Sequence, residues 1–124
     1  FYLGTRSPER IYNLAWEAMR ANRYIEASEG FMRAYELRRA PAKQEEALFW
    51  LAKASELAGR RVQAKARYRE LAERYHGYWL PESLYTYVLL ERQDGHPAQA
   101  APFATRLGEE YPGNKWTLKL AGAK

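Results

Sequence analysis

The chain has no cysteine, which excludes disulfides, thiolate metal sites and cysteine nucleophiles together. It is also poor in the residues that favour strands. Valine and isoleucine total four (Ile11, Ile25, Val62, Val88), against 20 alanines and 14 leucines. That balance argues against a sheet and for an all-α fold. Long apolar runs are missing too. No stretch approaches the ~20 residues that span a bilayer, and no charged-then-apolar leader precedes the first helix, so no integral membrane segment is expected. Charge of one sign is not concentrated anywhere. The 124 residues carry 20 Lys and Arg against 15 Asp and Glu, a net of +5 spread along the chain with glutamates interleaved. A nucleic-acid binder gathers its positive charge on one face, so no nucleic-acid partner is expected. The chain opens on Phe1 rather than Met, which predicts a processed product or a fragment of a longer protein.

Catalytic constellations are sparse. The two histidines, His76 and His96, stand at helix junctions, and no His-x-x-x-His or Glu-x-x-His pair offers a metal site. Glu45-Glu46 and Glu109-Glu110 are adjacent on helices and point a quarter turn apart, so neither pair forms an acid and base. No glycine-rich phosphate loop or serine elbow occurs. The expectation is a protein with no catalysis, metal or cofactor of its own.

What is present is internal self-similarity. Asn22 to Phe31, Gly59 to Tyr68 and Gly95 to Phe103 each read as a turn residue, an alanine five positions on, then an aromatic. The anchoring alanines Ala27, Ala64 and Ala100 are spaced 37 and 36 residues apart. A helical apolar face precedes each turn: Ile11, Leu14, Ala15, Ala18; then Leu48, Leu51, Ala52, Ser55; then Leu84, Tyr87, Val88, Glu91. Each repeat therefore reads as helix, tight turn, helix. Ser7-Pro8, Pro41 and Pro81 mark helix starts, and Asn22, Gly59 and Gly95 supply the left-handed residue that ends the first helix of each pair. The pattern predicts helices over 8–21, 24–38, 42–57, 61–75, 81–93 and 97–111, with Pro102 kinking the last and a cap from Lys115 to Leu120.

This arrangement resembles the tetratricopeptide repeat (TPR). Leu48, Leu51, Ala52, Gly59, Ala64, Tyr68 and Leu71 fall in the family's slots. Ser55 and Glu91 stand where an aromatic is usual, Val88 where a small residue is, and His76 where a proline closes the repeat. Ala47 to Ala52 and Glu109 to Asn114 are similar to stretches of bacterial cell-envelope repeats, those of the Tol-Pal-associated periplasmic protein and of the outer-membrane barrel-assembly lipoprotein. The resemblance implies a TPR-like α-solenoid of one domain over residues 1–124. It would hold three helix-turn-helix repeats, about 8–41, 42–80 and 81–113, with a C-terminal cap over 114–124. Small residues, Ala15 against Ala27 and Ala52 against Ala64, would let paired helices approach closely.

In this family the first helix of each repeat lines a concave groove. Counted from Pro8, Glu45 and Pro81, the groove slots are Tyr12, Phe49 and Tyr85, then Trp16, Lys53 and Leu89, with Met19, Glu56 and Arg92 behind them. Such an aromatic floor suits a peptide or a partner domain, with Lys53 and Arg92 pairing at the rim. The family's carboxylate-clamp pattern is not matched. Two alternatives stand beside this reading. In one, Trp116 of the cap fills the groove as core; in the other, the solenoid serves as a spacer whose ends, near Ile11/Ile25 and Trp116/Leu120, self-associate as a homo-oligomer or dock on the rest of the chain. Arg61, Lys65 and Arg69 form a basic stripe on one helix, expected as a solvated outer face. The envelope resemblance favours a bacterial periplasmic or envelope-associated location, with the cytoplasm as alternative.

Overall fold

A computed structural model describes residues 7–123. The described residues are all-helical: α1 (Pro8–Arg20), α2 (Tyr24–Leu37), α3 (Pro41–Leu57), α4 (Arg61–Arg74), α5 (Leu80–Gln93), α6 (Pro97–Glu110) and α7 (Lys115–Ala121). Local chemistry explains where they start. Ser7 caps α1 by accepting from the Arg10 N–H, with Pro8 at the first position, where a missing N–H costs nothing. Asn114 caps α7 by accepting from Trp116 N–H at 2.9 Å. Pro102 lies inside α6, which is assigned as helix without a break from Pro97 to Glu110.

Three of the helix ends are built identically. Asn22, Gly59 and Gly95 hold φ of 62°, 79° and 81°. After each, the next N–H returns to a carbonyl five residues back: Arg23 to Ala18, Arg60 to Ser55 and His96 to Glu91, at 2.8–2.9 Å. The left-handed residue's own N–H bonds the carbonyl three back, at Met19, Glu56 and Arg92. This double closure satisfies carbonyls that the helix leaves orphaned, and reverses the chain into the next helix within three residues.

The chain divides into two compact units, residues 1–67 and 68–124. In the first, α1 packs on α2 and α2 on α3. Its core is alanine-rich, with Ala15, Ala18, Ala27, Ala34, Ala47 and Ala52 buried around Phe31, Leu48 and Phe49. Gly30 is the residue set against Ala15. A Cβ on Gly30 would stand 2.8 Å from the Ala15 Cβ, so the missing side chain permits the approach of α1 and α2.

In the second unit α5 packs on α6 and α7 around Leu80, Leu84, Tyr87, Val88 and Leu107. Arg106 ties α6 to the end of α4: one Nη donates to the Ala72 carbonyl, the other lies 3.4 Å from His76 Nδ1, and Nε meets both Glu110 oxygens at 3.2–3.3 Å. The guanidinium thereby satisfies one of the last-turn carbonyls of α4. Two serines explain themselves in the same way. Buried Ser55 and Ser83 donate to the carbonyls of Leu51 and Trp79, both at 2.8 Å. That bond makes a hydroxyl tolerable in the core.

Candidate interaction surface

Of the groove residues, Tyr12, Trp16, Met19, Phe49 and Lys53 lie in the first unit. Helix α1 presents Tyr12 and Trp16 together, and both pack edge-on against buried Phe31 of α2, with ring centroids at 5.4 and 5.7 Å. Met19, one turn further along the same face of the helix, is buried at 8% exposure. Phe49 is buried more deeply still, at 1%. Slot counting from Glu45 places Phe49 on the exposed floor, but α3 begins at Pro41 and turns Glu45, Phe49 and Ala52 inward. The stripe left partly or fully open on α3 is Glu46, Trp50, Lys53 and Leu57, at helical spacing.

Trp50, one residue beyond the counted slot, is therefore the aromatic that α3 contributes to the surface. Its ring meets Trp16 at 4.5 Å and Phe49 at 5.0 Å, both edge-on. Lys53 follows on the same stripe, with its ammonium 3.8 Å from Glu56 and 5.6 Å from the Phe49 ring. Arg20 reaches over Trp16 at 6.0 Å. The first unit thus shows a partly open aromatic ridge, Tyr12–Trp16–Trp50, carried by α1 and α3 and fringed by two cations.

The ridge is anchored at one end by Arg38, a buried residue that sequence reasoning passed over. Its guanidinium stacks 4.0 Å over the Tyr12 ring. It meets both Glu9 oxygens at 3.2 Å, Glu46 at 3.1 Å and the Lys43 carbonyl at 2.7 Å. Burial is the main reason the Tyr12 phenol is pushed above its ordinary pKa, with Trp16 and Arg38 pulling the other way.

Tyr85, Leu89 and Arg92 belong to the second unit, where they share the open stripe of α5. Tyr85 is faced by the cap. Trp116 lies 5.2 Å from it and the Lys119 ammonium 5.4 Å over its ring. Behind this stripe α5 hides a polar cluster: Tyr87 donates to Glu91 at 2.8 Å, and His96 Nδ1 sits 3.2 Å from the other Glu91 oxygen. Burial, then the Glu91 carboxylate, raises the Tyr87 pKa. Glu91 stands where the resembled family carries an aromatic; its helical i, i+4 spacing from Tyr87 is the signal by which this pair is readable in sequence.

No protein-family model and no curated protein matches this chain. The site therefore rests on its own geometry. Among the described residues no group of three or more His, Cys, Asp or Glu gathers as a metal site, and no helix is long and apolar enough to cross a membrane. The basic stripe of α4 is engaged locally at Arg69, which pairs with Glu73 at 3.2 Å. That bond is the main cause of its raised pKa.

Proposed function

We propose that the chain is a non-catalytic protein–protein interaction module of tetratricopeptide type, an α-solenoid of three helix pairs with α7 as its cap. It binds a peptide or a partner domain along the aromatic ridge of α1 and α3. The reading is carried by one observation: Trp16 and Trp50, on the first helices of successive repeats, meet at 4.5 Å and both keep part of their surface open. Rigid aromatic side chains lose little entropy on binding and supply large apolar area, the usual composition of an interface hot spot. Arg20 and Lys53 add charge at the rim, where it steers a carboxylate-bearing partner. The expected location is the bacterial envelope, on the resemblance of Ala47 to Ala52 and Glu109 to Asn114 to envelope repeats.

The test is affinity capture with wild type beside an Arg20→Glu/Lys53→Glu variant, whose substitutions leave the core untouched. A protein retained by wild type and lost by the variant at unchanged helicity supports the ridge. Equal capture by both sinks it.

Self-association is the second reading. It is favoured by apolar side chains left open, Ile25 at 49% exposure and Leu118 at 64%, while Ile11 and Leu120 are buried. Sedimentation equilibrium decides it, since a mass that does not change with concentration excludes it.

A further inference from the structure

The second unit carries an outward face that the ridge does not use. Helix α7 holds two lysines and no acidic residue. Lys115, Leu118 and Lys119 are spaced i, i+3 and i+4, so they share one side of the helix, and all three are exposed. Leu118 keeps 64% of its surface open, while Leu120 is buried at 8%. Thr117 ties the helix down by donating to the Tyr111 carbonyl at 2.6 Å, with the Leu107 carbonyl at 3.3 Å. The face is therefore preformed, which spares a partner the cost of ordering it.

Three arginines of the second unit, Arg69, Arg74 and Arg106, pair with Glu73, Glu70 and Glu110 on their own helices. Lys115 and Lys119 form no ion pair among the described residues, and their ammoniums rest on aromatic rings instead. Lys115 lies 5.2 Å from the Trp116 ring, and Lys119 lies 5.1 Å from Trp116 and 5.4 Å from Tyr85. Like charges at i, i+4 repel, and a counter-charge from outside the chain relieves that repulsion. Beside them is a cleft lined by Lys115, Trp116, Glu82 and Tyr78, whose ring is 83% exposed.

This mixture narrows the partner. An acidic peptide matches the ammoniums and makes no use of the open leucine. A second copy of the chain would cover Leu118 but bring the lysines of both copies together. An anionic bilayer surface satisfies every group. Leucine and rings enter the boundary between headgroups and acyl chains, while the ammoniums stay at the level of the phosphates. Tryptophan, tyrosine and lysine are the side chains that occupy that layer.

We propose that this face of α7, together with Tyr78, is a peripheral docking site for an anionic phospholipid surface. Lys115 and Lys119 meet the phosphates, and Leu118 enters the acyl boundary.

The experiment is co-sedimentation of the whole chain with lipid vesicles. Retention on phosphatidylcholine vesicles holding about one-third phosphatidylglycerol is expected, with little on phosphatidylcholine alone, and it should fall as salt rises. Lys115→Gln/Lys119→Gln should weaken it about thirtyfold and Leu118→Ser about fivefold. Arg39→Gln/Lys43→Gln removes the same charge from exposed positions of the first unit and should change it less than about twofold. All these side chains are exposed, so circular dichroism should show unchanged helicity. Absence of retention on the anionic vesicles overturns the proposal. So does equal weakening by the two charge pairs, which is general attraction to a chain of net charge +5, and so does retention that Leu118→Ser leaves unchanged. Two further outcomes name other occupants. Binding to polyglutamate through the two lysines, without vesicle retention, reassigns the face to an acidic peptide. A concentration-dependent mass that Leu118→Ser abolishes, again without vesicle retention, reassigns it to a second copy.

Discussion

The Arg38 guanidinium closes on both oxygens of Glu9, 29 residues earlier in the chain, while lying 4.0 Å above the Tyr12 ring. Arg38 is buried to 2% at its side chain, whereas Glu9 is 59% exposed. The two ends of this pair therefore differ in what their loss costs. Replacing Arg38 by Met removes the donor to Glu9, Glu46 and the Lys43 carbonyl together, and leaves that carbonyl without its charged partner. Arg38→Met should cost about 3 kcal/mol, and Glu9→Gln less than about 1 kcal/mol. Urea unfolding of the two variants measures both, and equal losses would contradict the account.

The approach of Ala15 to Gly30 predicts a substitution with the opposite sign to its helix propensity. Alanine is better than glycine in a helix by about 1 kcal/mol. At position 30 its Cβ would stand 2.8 Å from that of Ala15, and the overpacking penalty is about 1–3 kcal/mol. Gly30→Ala should therefore destabilise, and Ala15→Gly in the same chain should recover much of the loss. A double-mutant cycle from thermal melts reads the coupling. Simple additivity would show that the two helices do not meet there.

The three left-handed turns should rank by residue type. Gly59 and Gly95 meet no heavy atom within 4 Å of a built Cβ, so their replacement by alanine costs only the φ strain, about 1–2 kcal/mol each. Asn22 already bears that strain at φ 62°, so Asn22→Gly should be neutral or slightly stabilising. Melting temperatures of the three variants test the order.

Tyr12 and Tyr87 both have pKa values raised above the ordinary 10, chiefly by burial. The native state then holds these protons more tightly than the unfolded chain. The stability from this source is full below pH 10 and is lost as pH climbs through the raised values. Absorbance titration near 295 nm should show tyrosines ionising late, together with alkaline unfolding. Tyr12→Phe should remove one late-titrating group; an unchanged late phase would contradict the assignment.

Much of the secondary structure was legible from residues close in sequence. Every predicted helix end lies within one residue of the observed one, because proline, serine and left-handed asparagine or glycine act through bonds spanning three to five residues. The candidate surface was legible only in part. Tyr12 and Trp16 were found, since α1 starts where its serine and proline say it does. Trp50 was missed, because the slot count selects its neighbour Phe49, and one residue is about a quarter turn of helix. Trp116 was read from the sequence as a residue to fill the groove in general, and only the structure sets its ring 5.2 Å from that of Tyr85.

Composition and periodicity thus determined an all-helical chain with three like turns, because helix formation and reversal are local events. Only the tertiary structure decided which aromatics are core and which are surface, and that an arginine rather than an aliphatic residue fills the junction of α1, α2 and α3. It also decided that Gly30 carries the close approach to Ala15. Burial and ion pairing depend on what a side chain meets across tens of residues of chain. Arg38 and Glu9 carry no mark in the sequence that they will meet.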